Sequence, residues 1–198
     1  MTDLFQEPED ATSLGAEERE QLLQSWITHR RDLNLAEEEN IINGAAWARG
    51  RRSRRSADIL TADFALMLHK KMFGDVWRWA GAYRTTARNI GIDAYRIPVE
   101  VAALFDDVRY WVENKTYPPD DVAVRLHHRL VAIHPFPNGN GRHSRLMADL
   151  LVERLGGSPF SWGSGSLAGT GELRRRYVDT LRAADNHDVG PLLAFARS

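Results

Sequence analysis

Residues 134–145 read His134-Pro135-Phe136-Pro137-Asn138-Gly139-Asn140-Gly141-Arg142-His143-Ser144-Arg145. Pro135 and Pro137 end whatever helix precedes them, because proline has no N–H to donate and its ring clashes with the turn before it. Gly139 and Gly141 permit positive φ and close approach of another group to the backbone. Alternating polar residues and glycines just ahead of a helix expose successive N–H groups. With the helix dipole, these make an anion site. Arg142 and Arg145, three apart on the first turn, can both face that site. Two guanidiniums and a backbone cradle suit a polyphosphate better than a single carboxylate. His134, at the other lip, is the residue there that can take a proton near neutral pH. The residues alone point to a nucleotide-phosphate loop with a histidine base. The plainer alternative is a tight Asn-Gly turn between core helices with its arginines in solvent, and it must also account for the spacing of the His, Phe, Gly and Arg positions.

Working outward, the loop lies between two helical patterns. Upstream, Tyr117-Pro118-Pro119 is a break and Asp120 is read as the cap of a helix with Val122, Leu126, Leu130 and Ile133 on one face. Downstream, a helix is expected from Arg142 to about Leu155. Pro98 opens an earlier helix carrying Val101, Leu104, Phe105, Val108 and Trp111. Between them and the N-terminal half, residues 84–97 are rich in β-formers (Thr85, Thr86, Ile90, Ile92, Tyr95, Ile97), with Asn89 and Gly91 available for bends. This predicts a short hairpin. Apolar periodicity predicts further helices over Ala16–Arg31, over about Ala36–Ala48 and after Thr61. Residues 156–171 form a Gly/Ser-rich loop, followed by helices over Glu172–Ala184 and Gly190–Arg197. The expected organisation is mostly α: a tail and helical extension over 1–55, then a core over 56–198.

Length and composition agree with one core and an appendage. The chain has 198 residues, 43% hydrophobic and 27% charged, with a net charge of −1. So balanced a charge gives no global field favouring nucleic acid or an anionic membrane. The arginines between Arg49 and Arg55 have no interleaved aromatic residue and are read as a solvated helix end. There is no cysteine, which removes disulfides, thiolate metal sites and a cysteine nucleophile. His127 and His128 lack carboxylates at ligand spacing and are read as packing. Trp162 is read as lining a pocket, closing a lid or packing. The acidic N-terminus lacks a basic region followed by an apolar one, and no apolar run is long enough to span a bilayer, so a cytoplasmic location is expected.

The stretch from His134 to Arg145 resembles the motif of the Fic family, His-x-Phe-x-(Asp/Glu)-Gly-Asn-Gly-Arg-x-x-Arg. The likeness extends to Trp77-Arg78-Trp79-Ala80-Gly81 with Asn89-Ile90-Gly91, and to His127–Ile133 leading into the motif. Within the family it is similar to the subgroup called mobile mystery protein B.

The resemblance implies an all-α Fic fold, a helical bundle with a small β-hairpin flap and an N-terminal helical extension. It implies transfer of AMP from ATP to a hydroxyl of an unknown target protein. His134 would be the general base. Asn138, Gly139, Asn140, Gly141, Arg142 and Arg145 would hold the phosphates. Asn89, Ile90, Gly91 and Ile92 would form the target-docking flap. Mg²⁺ would sit at position 138, where Asn138 replaces the family's acidic residue and supplies an uncharged oxygen. A family inhibitory helix, (Ser/Thr)-x-x-x-Glu-(Gly/Asn), has its best match at Leu35-Ala36-Glu37-Glu38-Glu39-Asn40, with Glu39 as the carboxylate that would pair with Arg145. Three other readings stand beside this one: a catalytically silent nucleotide binder, motivated by Asn138, transfer of another phosphate-containing group, and a nucleic-acid-binding module using the arginine cluster.

Overall fold

The computed structural model describes residues 19–50, 59–87, 90–164 and 171–198. The acidic tail, Asn89 and Arg51, Arg52, Arg54 and Arg55 lie outside these. The regular structure of the described residues is helical, and no β-strand forms among them. Leu22 and Trp77 make an isolated antiparallel bridge. No helix of the described residues is long and apolar enough to cross a membrane. The chain divides into two compact units, the first comprising Met1–Ala57 and Asp63–Ala82, the second Asp58–Ala62 and Tyr83–Ser198.

The first unit is built on α1 (Arg30–Arg49) and α2 (Ala62–Phe73). The two helices close at Gly44, where a Cβ would stand 2.9 Å from the Cα of Met72. Any larger residue there pushes the helices apart. The buried face of α1 carries Leu33, Glu37, Asn40, Gly44 and Ala48. Its two polar members are satisfied, as buried polar groups must be. Trp77 Nε1 donates to Glu37 Oε1 at 2.6 Å. Asn40 donates to the Asp75 carboxylate at 2.7 Å and accepts from the Asp75 N–H at 3.2 Å.

This arrangement corrects the sequence reading in three places. The helix begins at Arg30, not Ala36. Residues 21–29 are not helical: Leu22 and Ile27 are buried, but as parts of turns that close on Val76 and Trp77. The stripe Leu35, Glu39, Ile42, Ala46 faces solvent, with Leu35 60% and Ile42 61% exposed. The inward carboxylate of the run is therefore Glu37. Its neighbours Glu38 and Glu39 are exposed, because residues 37 and 40 already occupy the inner face.

The second unit contains α3 (Ile97–Glu113), α4 (Pro119–Ile133), α5 (Asn140–Arg154), α6 (Glu172–Asp185) and α7 (Gly190–Arg197). Helix α4 packs against α3, α5 and α7, and α6 pairs with α7. Leu104, Phe105, Val108, Leu126, Met147 and Leu192 are almost wholly buried here. Each such side chain contributes roughly 1.5–3 kcal/mol by leaving water. Asp120 does not cap α4, which starts one residue earlier at Pro119. Its two oxygens instead take the Arg197 guanidinium at 2.7 and 2.5 Å, tying α7 to α4 and raising the Arg197 pKa.

The hairpin expected over 84–97 is not formed among the described residues of that stretch. They run as turns into a short 3₁₀ turn (Ala94–Arg96) and then α3. The carbonyls that would have paired across a hairpin meet a side chain instead. The Arg84 guanidinium donates to Thr86 O at 2.9 Å and also to Ile92 O.

Candidate active site

The loop between α4 and α5 is shaped by its own residues. His134 ends α4 in the left-handed region (φ 54°, ψ 60°), its N–H bonded to Leu130 O at 3.1 Å. Phe136 is fully buried, between the Tyr83 ring and an edge-on His143. Asn140 donates to Phe136 O and accepts from the Phe136 N–H, both at 2.9 Å. Gly139 takes φ 78°, and its carbonyl accepts the first helical bond of α5 from the His143 N–H at 2.9 Å.

This geometry reassigns some of the expected phosphate ligands. The side chain of Asn140 is buried and spent on Phe136, so it is a clamp of the loop and offers phosphate no side-chain donor. The Gly139 N–H is taken by Asn138 Oδ1 at 2.7 Å. Gly141 does face the expected region: a Cβ there would lie 3.6 Å from an Arg145 Nη and 4.0 Å from the Tyr177 hydroxyl. Arg142 is half-buried at the same helix start. On the flap side, Ile90 is exposed, whereas Ile92 has both backbone groups engaged, its N–H by Ile133 O at 3.4 Å and its carbonyl by Arg84. Ile92 is thus not available to pair with an incoming strand.

Arg145 is a cation whose charge its surroundings oppose. It forms no ion pair among the described residues. Its guanidinium lies 5.7 Å from the centroid of the Tyr177 ring and hydrogen-bonds the phenol. Burial lowers its pKa, so the protein holds this charge against a desolvation cost, as a site waiting for an anion would. Tyr177 is buried in turn and its hydroxyl lies 3.0 Å from His127 Nε2. A guanidinium only donates, so the phenol oxygen accepts from Arg145, and the direction of its bond with His127 follows the tautomer of that ring. Burial, then the Arg145 charge, keeps the His127 pKa well below its ordinary value, and burial raises that of Tyr177. Trp162 packs its ring 4.6 Å from that of His127 and donates to Asp149 at 3.0 Å, so its role is packing. Tyr177 had no signal in the sequence that tied it to the loop, and His127, at the head of the stretch leading into the motif, was read as packing.

The donor set does not fit a divalent ion held by the protein. Among the described residues no three His, Asp or Glu side chains gather as ligands. Asn138 offers one neutral oxygen, already accepting from Gly139.

Comparison with known proteins adds the family. The Fic/DOC family model matches residues 59–152. Protein adenylyltransferase Fic of Aedes aegypti is 29% identical over 142 residues, and protein adenylyltransferase fic-1 of Caenorhabditis elegans is 29% identical over the same length. Each alignment covers 70% of this chain, which spans about 27% of the length of these relatives. Among solved structures, a fragment of Fic-1 from C. elegans superposes with a TM-score of 0.60 at 25% identity, covering 81% of this chain and 48% of that one. The BepC protein of Bartonella tribocorum with bound AMPPNP superposes with a TM-score of 0.65 at 17% identity, covering 96% of this chain and 93% of that one.

Proposed function

Because this chain belongs to the Fic/DOC family, we propose that it is a protein adenylyltransferase that moves AMP from ATP to a hydroxyl side chain of a target protein. The observation that carries this reading is Arg145: a partly buried guanidinium that forms no ion pair among the described residues, on the second turn of the helix that follows His134. The names of the curated relatives support the same chemistry.

In the proposed reaction the target hydroxyl oxygen attacks the α-phosphorus and the bond from that phosphorus to the bridging oxygen breaks. His134 takes the hydroxyl proton, and pyrophosphate leaves toward Arg142 and Arg145. General-base help of this kind is worth roughly 10²–10⁴-fold. The N-terminal backbone of α5, with Gly141, faces the phosphates. Any magnesium arrives on the ATP as part of the donor, since the residues at position 138 do not make a resident site. The target approaches at Ile90 and Gly91, where an exposed apolar side chain adjoins His134; Asn89, the remaining flap residue of that reading, lies outside the described residues. Restraint of ATP binding by Glu39 rests on the sequence pattern and on its exposure on α1, and Glu39→Gly raising ATP affinity is the result that supports it.

Incubation with ATP labelled at the α- or the γ-phosphate tests the reaction. Protein-bound α-label that disappears in His134→Ala, with ATP binding retained, is the expected result. γ-label alone shows phosphorylation, and ATP binding without any label shows a silent nucleotide binder, the reading that Asn138 favours.

A further inference from the structure

Arg84 is only 3% exposed, yet nothing in the proposed chemistry uses it. Among the described residues its guanidinium forms no ion pair, and its charge is met by carbonyl dipoles. Nε donates to His134 O at 2.7 Å, Nη1 to Thr86 O at 2.9 Å, and Nη2 to Ile92 O. The backbone joins in: the Arg84 N–H donates to Pro135 O at 2.9 Å, and the Ile92 N–H to Ile133 O at 3.4 Å. Three consecutive carbonyls, those of Ile133, His134 and Pro135, are therefore all held by Arg84 and Ile92. From the same side Gly91, at φ 95°, comes so close that a Cβ would stand 2.6 Å from His134 Cβ.

His134 needs holding. A non-glycine residue in the left-handed region is strained, so its backbone relaxes unless its neighbours prevent it. The planar fork of an arginine satisfies three carbonyls at fixed angles. A lysine ammonium is a point charge on a flexible stem and cannot reproduce that geometry.

We propose that Arg84 is a positioning residue that clamps the His134 carbonyl, fixing the base in its left-handed conformation and tying Thr86 and Ile92 to it. The proposal rests on the reading of His134 as the base, so its test includes a readout that needs no reaction.

The full chain, with ¹³C-labelled histidine, is compared with Arg84→Lys and Arg84→Ala. Both variants keep their helical circular dichroism, and the His134 ring resonance shifts or broadens while those of His128 and His187 stay in place. Transfer of α-label from ATP falls roughly 10- to 100-fold with ATP affinity held within about twofold, because misplacing a base affects the reaction more than binding. Added ethylguanidinium restores part of the signal and of the transfer in Arg84→Ala. An unchanged His134 resonance overturns the proposal, as does a loss of transfer that only follows the loss of folded protein. If Arg84→Ala does not fold, Arg84→Lys decides. If neither folds, Arg84 is a structural residue and the proposal fails. A wild-type chain that transfers no label defeats the enzymatic reading alone, and the His134 resonance still judges the clamp.

Discussion

The hydroxyl of Tyr177 stands 3.0 Å from His127 Nε2 and hydrogen-bonds the Arg145 guanidinium on its other side. One phenol from α6 thus supports the cation that α5 presents and shares a hydrogen bond with a buried histidine on α4. Arg145 is thus tied directly to α6 and, through Tyr177, to α4.

Tyr177→Phe removes that bond and leaves the ring. ATP affinity is expected to fall about fivefold, the equivalent of about 1 kcal/mol for one hydrogen bond. AMP affinity should change little, since the role given to Arg145 lies beyond the α-phosphate. Calorimetric titration with both nucleotides checks the split, and equal losses would refute it.

His127 gives a pH dependence of stability. Its folded pKa lies well below 6.5, its value in the unfolded chain, because burial and the Arg145 charge oppose protonation. Above about pH 6.5 both states are neutral and nothing is lost. As pH falls from there toward the folded value, the unfolded chain takes up the proton first, and stability drops by roughly one kcal/mol per pH unit. Urea midpoints across this range should show that slope, and His127→Gln should flatten it.

Glu37 and Glu39 should separate cleanly. Glu37→Ala strands the buried Trp77 indole N–H and should destabilise the protein by about 1–3 kcal/mol. Glu39→Ala, on the exposed face, should stay within about 0.5 kcal/mol of wild type. Thermal melts of the two variants decide, and a reversed order would mean that the inner face of α1 is misassigned.

Asn138→Asp places a carboxylate beside the Gly139 N–H at the start of α5. The helix dipole favours that charge by about 0.3–1 kcal/mol, so the melting temperature should rise slightly. The magnesium concentration needed for half-maximal transfer should fall by about tenfold, because a charged ligand replaces a neutral one. An unchanged magnesium dependence would show that the phosphates alone hold the ion.

The second unit was more legible than the first. Strong apolar periodicity marked α3, α4 and α5, and two prolines with two glycines marked the loop between α4 and α5. What escaped were contacts made by polar groups at long range. The 84–97 segment has the composition of a hairpin, but the Arg84 side chain supplies the bonds that a second strand would have given. In α1 the buried face is polar at Glu37 and Asn40, so apolar periodicity did not mark Glu37 as the inward carboxylate of its run. Asn140 was taken for a phosphate ligand because its type and place allow it; its pairing with Phe136 depends on how the loop folds back.

That pairing sets how a nucleotide is received. Asn140 offers Phe136 a donor and an acceptor side by side, as a neighbouring peptide group would, and thereby completes the loop from within. Its shape does not wait for a ligand. A guest finds the ordering entropy of these residues already spent, so little of its binding energy is diverted into arranging them. Association should then proceed in one kinetic step, its rate set by encounter and by the charge of the two arginines, with no slow phase of loop ordering to follow.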